Sequence, residues 1–215
     1  GPHAPKAVAD LLLGGSNAEP TVPAVRYQPM VGRKIVLVHH DATQASIHLL
    51  CPRPPTPQRH LAMLYGEYVG GSAGLVFQEI REARGMAYSA RGAWGPSWRL
   101  GDETLMWASV GTQTDKAAHV LELLLSLIAA PITPDRFARV HAASIEKMRT
   151  NRIPFRSIPG VAERWISQEH PVDPRPGRLA AIQSTSMEML SDFARPLVDA
   201  PLTVAIVGDT LRLDL

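Results

Sequence analysis

The spacing of apolar positions changes several times along this chain, and each change marks a predicted element. KIVLVHH (34–40) and ASIHLL (45–50) are apolar and β-branched, which predicts two strands joined as a hairpin across the polar turn Asp41-Ala42-Thr43-Gln44. The spacing then turns helical. Thr56-Pro57 is a suitable helix start, and Leu61, Leu64, Tyr65 and Tyr68 follow on one side. Gly70-Gly71 stops that helix. Ser72 can cap a second one, which carries Val76, Phe77, Ile80 and Ala83 and ends at Gly85, a residue that takes a left-handed conformation easily.

Met86 to Trp94 and Glu103 to Gly111 predict two further strands around the loop Gly95-Pro96-Ser97. Ala117, Val120, Leu121, Leu124 and Ile128 form a helical stripe after a Thr114/Asp115 cap. Thr133-Pro134 opens another helix, with Phe137, Val140 and Met148 inward. A further helix starts near Pro159 and carries Val161, Trp165 and Ile166. Thr185 and Glu188 have the spacing of a capping box ahead of Met189, Leu190 and Phe193, and LTVAIVGD (202–209) predicts a closing strand. Strands and helices do not alternate one for one, so the order points to the α+β class: a largely antiparallel sheet of about five strands with helices on one face. Residues 1–32 are rich in Pro, Gly, Ala and Asn and predict a tail or linker, with a short helix at Lys6–Leu13. Residues 33–215 predict one domain. Gly1-Pro2 reads as a cleaved-tag scar.

Composition narrows the function classes. A hydrophobic fraction of 45% permits a sizeable core, and a net charge of +2 gives no strong field to gather nucleic acid or anionic lipid. The one cysteine, Cys51, excludes an internal disulfide and, beside a proline at a strand end, suits buried packing. The apolar run 120–132 contains Glu122, Ser126 and Pro131 and falls short of the ~20 residues of a bilayer span, so it predicts a buried helix. No targeting segment is visible. The expectation is a soluble chain with no membrane partner, its compartment left open.

Candidate chemistry is sparse. His39, His40, Asp41 and His48 lie near the first two strands, but successive strand residues face opposite ways, so His39 and His40 do not converge easily on one metal. ERWISQEH (163–170) approaches an inverted zinc motif, yet Ile166 stands where the first histidine is needed. Gly70, Gly71 and Gly74 lack the Gly-Lys-Ser/Thr of a phosphate cradle. Lys147, Arg149, Arg152 and Arg156 suit a solvated face better than a nucleic-acid surface. Arg81, among Glu79, Glu82 and Arg84, reads simply as a surface ion-pair member, and Tyr88 as a half-buried strand residue. The other reading is that a helix end and the next strand, hinged at Gly85, bring Arg81 and Tyr88 to one edge. There a guanidinium and a phenol can both donate to carbonyls of an extended peptide.

At these residues the sequence resembles the pitrilysin/insulinase family of zinc metallopeptidases, in the C-terminal, zinc-free half found in large bacterial members. RKIVLV with Gln44 resembles the family's opening hairpin, and LYGEYVGGSAGLVFQEIREARGMAYSA its Arg-Glu, Gly-x-Ala-Tyr-Ser signature. VGTQTDKAAHVLELLLSLI, TNRIP, VDPRP and the final strand ending in Gly-Asp follow in order, so the resemblance covers nearly all of 33–215. Gly66 departs from it, standing where many relatives have asparagine. The resemblance implies no catalytic residue, metal ligand or cofactor in this chain. Zinc and its His-x-x-Glu-His motif are expected in a partner half, on the same longer chain or a separate subunit. Arg81 and Tyr88 are the implied substrate-binding pair, gripping an extended peptide near that zinc. The alternative is a catalytically retired scaffold or peptide-binding subunit. The bounds of the chain suggest an excised domain, a processed fragment or a small partner subunit.

Overall fold

The computed structural model describes residues 31–54, 56–95 and 104–213. The expected tail and its short helix, and most of the loop after Gly95, lie outside them. Five strands, β1 (Arg33–His39), β2 (Gln44–Arg53), β3 (Ser89–Gly95), β4 (Thr104–Gln113) and β5 (Leu202–Gly208), form one sheet in the order β1-β5-β2-β4-β3. The expected hairpin of the first two strands is corrected: β5 lies between them, parallel to β1 and antiparallel to β2. The reason is visible in LTVAIVG, an almost wholly apolar run that suits a central strand with both edges paired. Ile35 pairs with Val204, and Ile206 with Ile47. The remaining contacts, β2 with β4 and β4 with β3, are antiparallel, so the sheet is mixed with antiparallel pairing dominant.

Alternation along the strands separates two faces. Ile47, Leu49, Ala108, Val110, Val204 and Ile206 are buried. Their neighbours Ser46, His48, Ser109 and Thr203 are only partly covered and mark an open face. The helices are α1 (Arg59–Gly70), a π-helix (Val76–Glu82), α2 (Ala117–Ala129), α3 (Pro134–Thr150), α4 (Ile158–Ser167), α5 (Arg175–Gln183) and α6 (Met187–Ala194). The α+β class stands. Among the described residues no single helix is long and apolar enough to cross a membrane.

Several local expectations shift. Helix α1 starts at Arg59, and the Thr56 hydroxyl accepts from the Gln58 amide one step before it. The segment after Ser72 winds as a seven-residue π-helix, so Val76 and Ile80 are buried while Ala83 faces solvent. Helix α5 was not anticipated, because RPGRLAAIQ carries Pro and Gly in its first turn, where they are tolerated. Ser186, not Thr185, caps α6: its hydroxyl accepts from the Met189 amide at 3.2 Å, and the Thr185 hydroxyl is already spent on the Ala181 carbonyl of α5.

Gly66 finds its reason here. A Cβ on Gly66 would sit 2.4 Å from the Trp94 amide nitrogen, and one on Gly70 would sit 2.0 Å from the Gly92 nitrogen. Helix α1 therefore rests directly on the backbone of β3. The ~1 kcal/mol that a helix-interior glycine costs is offset by that close approach. Around it Tyr65, Trp94 and Phe193 pack edge-on or tilted, with Trp94 and Phe193 centroids 5.2 Å apart.

Gly70→Ala is expected to destabilise the domain by about 1–3 kcal/mol, because backbone must move to admit the methyl group. Gly160→Ala, in α4 with open space around its Cβ, is expected to be neutral or to stabilise by up to ~1 kcal/mol. Denaturant unfolding followed by circular dichroism compares the two.

Candidate functional site

The π-helix sets the site because its wider turn brings residues five apart into register. Arg84 donates to both the carboxylate of Glu79 (2.8 Å) and its carbonyl (2.6 Å). The same carboxylate also holds Arg136 of α3, a buried guanidinium that reaches on to the Gly74 carbonyl at 3.3 Å. Glu79 is thus fully engaged with Arg84 and Arg136. The ion-pair reading of Arg81 reduces to an exposed contact with Glu82 at 3.6 Å, of a kind worth ~0–1 kcal/mol. The Arg81 guanidinium lies 5.0 Å from the centre of the Phe77 ring, which supports its stem and leaves it in solvent.

Gly85 ends the π-helix at φ 59°, as expected. Its amide donates to the Arg81 carbonyl and the Met86 amide to the Ile80 carbonyl, which closes the π-helix and turns the chain sharply. The Thr112 hydroxyl then donates to the Met86 carbonyl at 2.6 Å, and the Tyr88 amide donates to the Gly111 carbonyl at 3.1 Å. Tyr88 therefore precedes β3 instead of lying within it. Its ring covers Gly111, where an added Cβ would stand 2.5 Å from the Tyr88 Cζ. Gly111 pairs with Ser46 and Ser89, so the ring lies on the open face of the sheet, 49% of the residue exposed. Among the described residues no hydrogen bond or ring contact joins Arg81 to Tyr88. The two lie on either side of Gly85, and both residues are exposed.

Arg136 and Gly111 were missed in the sequence. Nothing in Asp135-Arg136-Phe137 signals that this arginine turns inward. Gly111 does carry a sign: a glycine inside a strand marks a close approach, here by an aromatic ring.

The other candidates take plainer roles. His39 Nδ1 accepts from the Thr210 amide at 3.3 Å and lies 3.0 Å from its hydroxyl. His170 Nε2 lies 3.0 Å from Arg178 Nη2 and 3.4 Å from Arg59 Nη1, so it serves them as an acceptor. Burial first, then the nearby Arg178 and Arg59 charges, hold the His170 pKa below the ordinary histidine value and keep the ring neutral. Among the described residues no group of three or more His, Cys, Asp or Glu side chains is placed to hold a metal ion. With Ile166 exposed and His170 facing two guanidinium groups, the 163–170 segment does not fit zinc. Cys51 is buried against the core, and burial pushes its thiol pKa up. In the basic stretch Lys147 pairs with Glu67 at 2.6 Å, and Arg152 donates to the Arg149 carbonyl.

The Glu79 carboxyl is held below its ordinary pKa, chiefly by the hydrogen bond from Arg84, with the Arg136 and Arg84 charges adding to it. The folded carboxyl binds protons less readily than the unfolded one. Its stabilisation is therefore present above the unfolded pKa and lost as pH falls through the folded value. Glu79→Gln is expected to lower stability at neutral pH and to flatten the loss of stability below the ordinary glutamate range, as read from urea midpoints across an acid series.

No protein-family model and no curated protein matches the chain. Solved structures do. A peptidase M16 inactive domain from Pseudomonas fluorescens aligns with 98% of this chain and 52% of its own, at 14% identity and a TM-score of 0.76. A protease from Helicobacter pylori aligns over 95% of this chain and 53% of its own, at 13% identity and 0.70. A chain of Complex III2 from Candida albicans, solved with Inz-5 bound, aligns over 96% and 53%, at 11% identity and 0.66. This chain spans about half the length of each. At these identities the likeness is one of fold: the mixed sheet and its helices have the arrangement of M16 peptidase domains, as the resemblance to the pitrilysin/insulinase family implies.

Proposed function

We propose that this domain, residues 33–215, is the non-catalytic, substrate-binding part of a zinc peptidase of the pitrilysin/insulinase family. Arg81 and Tyr88 hold an extended peptide by its backbone. The observation that carries this reading is the seat of Tyr88. Its ring is fixed against Gly111 at the mouth of the open sheet face, yet its edge remains in solvent. A tyrosine placed only for packing has no need of a glycine floor that leaves it half exposed. A phenol so fixed loses little entropy when it donates to a carbonyl. Arg81, one turn of chain before it, offers a planar fork of donors for neighbouring carbonyls. Backbone carbonyls are the acceptors that every peptide presents, so such a grip tolerates many side chains.

The zinc belongs, in this reading, to a partner half on a longer chain or a separate subunit, in keeping with the lack of a metal-holding cluster among the described residues. The likeness to an inactive M16 domain, and the half-length match to the solved chains, support that division. A second reading, a structural subunit retaining the fold without peptidase work, is supported by the likeness to a chain of Complex III2.

Turnover of a fluorogenic peptide by the assembly with the zinc-bearing half tests the first reading. Arg81→Ala is expected to lower kcat/KM by about 10- to 100-fold and Tyr88→Phe by about 2- to 10-fold, the range for losing a charged and a neutral hydrogen bond. Gly111→Val, which displaces the ring, is expected to act at least as strongly as Tyr88→Phe. Unchanged kinetics in all three folded variants would favour the structural subunit.

A further inference from the structure

On the helical side of the sheet, away from Tyr88, a cavity of about 650 Å³ opens between α1, α3, α4 and α5 at the end of β3. Its size is that of a small-molecule site. Its walls include Met63, Trp94, Met148, Val161, Trp165 and Ile182, a mainly apolar lining that includes two indoles and two flexible thioethers.

Among the described residues, one polar group of this cavity has no hydrogen-bond partner and two cations on its wall form no ion pair. The first is Ser144 on α3, a residue 4% exposed whose hydroxyl has no hydrogen-bond partner. A buried hydroxyl left unpaired costs on the order of 1–3 kcal/mol, and serine in a helix commonly avoids this by bonding the carbonyl four residues back. Ser144 does not. The second is the pair Arg59 and Arg178, which line the cavity and share the neutral His170 Nε2 at 3.4 and 3.0 Å. Arg59 also donates to Gln168 Oε1 at 3.3 Å. Among the described residues neither arginine forms an ion pair. Asp173, whose charge reaches Arg178, is itself hydrogen-bonded to Arg175. Two guanidinium groups are thus gathered at an apolar cavity around one uncharged acceptor. Burial, and then repulsion from Arg59, lower the Arg178 pKa, and the charge of Asp173 offsets this only in part.

We propose that this cavity binds an apolar chain ending in a carboxylate, with the carboxylate on Arg59 and Arg178 and the apolar body against Trp94, Met148 and Trp165. A carboxylate matches the bidentate geometry of guanidinium and offers both arginines an ion pair. Ser144 can bond any polar group along the chain. The ligand is either a medium-chain fatty acid or the free C-terminus of an apolar peptide, which share that chemistry. The site is independent of the peptide grip at Arg81 and Tyr88.

The test is calorimetric titration of the intact chain with decanoate and decanol, and with a short apolar peptide as its free acid and its C-terminal amide. At least one acid is expected to bind saturably, about tenfold or more tighter than its neutral counterpart. Arg178→Ala and Arg59→Ala, with unchanged circular dichroism, are expected to remove that preference. Decanoate binding alone identifies a fatty acid, and binding of the peptide acid alone identifies a peptide terminus. Both outcomes support the proposal. Absence of saturable binding by either acid, equal affinity for acid and neutral forms, or a preference that survives both substitutions overturns it. Should either variant fail to fold, the acid-against-neutral comparison on the unaltered chain still decides.

Discussion

The close approach of α1 to β3 is the constraint on which the rest of the structure depends. With Gly66 and Gly70 against Gly92 and Trp94, helix and strand touch backbone to backbone, with no side chain between. That contact fixes the height of α1 above the sheet. Tyr65, Trp94 and Phe193 can then close around it as one aromatic cluster, while Leu61 and Leu64 reach full burial. A helix held this low on one flank leaves space where α3, α4 and α5 pass farther from β3, and the large cavity occupies that space. Packing density is achieved on one side of α1 and forgone on the other.

Glu79 is the electrostatic counterpart of that steric contact. It ties the π-helix to α3 through Arg136, and to its own end through Arg84. Because the winding places Arg84 beside Glu79, Arg81 is left facing solvent over Phe77. An ordinary α-helix would align residue 79 with residue 83 and shift every later side chain on the segment. The exposed arginine and the seated tyrosine are thus products of one unusual turn and the glycine that ends it.

Much of this was legible from the chain. The alternation in ASIHLL and LTVAIVGD marked strands, the stripe Leu61, Leu64, Tyr65, Tyr68 marked the core face of α1, and Gly85 marked a helix stop. What escaped was non-local. The first two strands resemble a hairpin because nothing local reports that a third strand, from the far end of the domain, is inserted between them. The π-winding leaves no local signature, since Val76 and Ile80 suit either helix. Gly66 seemed an anomaly until its neighbour Trp94 was in place. The Arg59, His170 and Arg178 cluster joins α1 to a segment 111 residues away, so periodicity carried no sign of it.

The insertion of β5 between β1 and β2 also bears on how the domain is made. Strand β2 is synthesised early, yet one of its edges finds its partner only after every helix has been produced. Until then Ile47 and Leu49 belong to an unfinished sheet, and the apolar side chains of β1 have no neighbouring strand on either edge. Long-range pairing of this kind is slow, because the closure entropy must be met before any contact rewards it. A nascent chain in that condition exposes the sticky edge that chaperones bind and that aggregation exploits. Efficient production of this domain therefore depends on the interval between the synthesis of its second and its last strand.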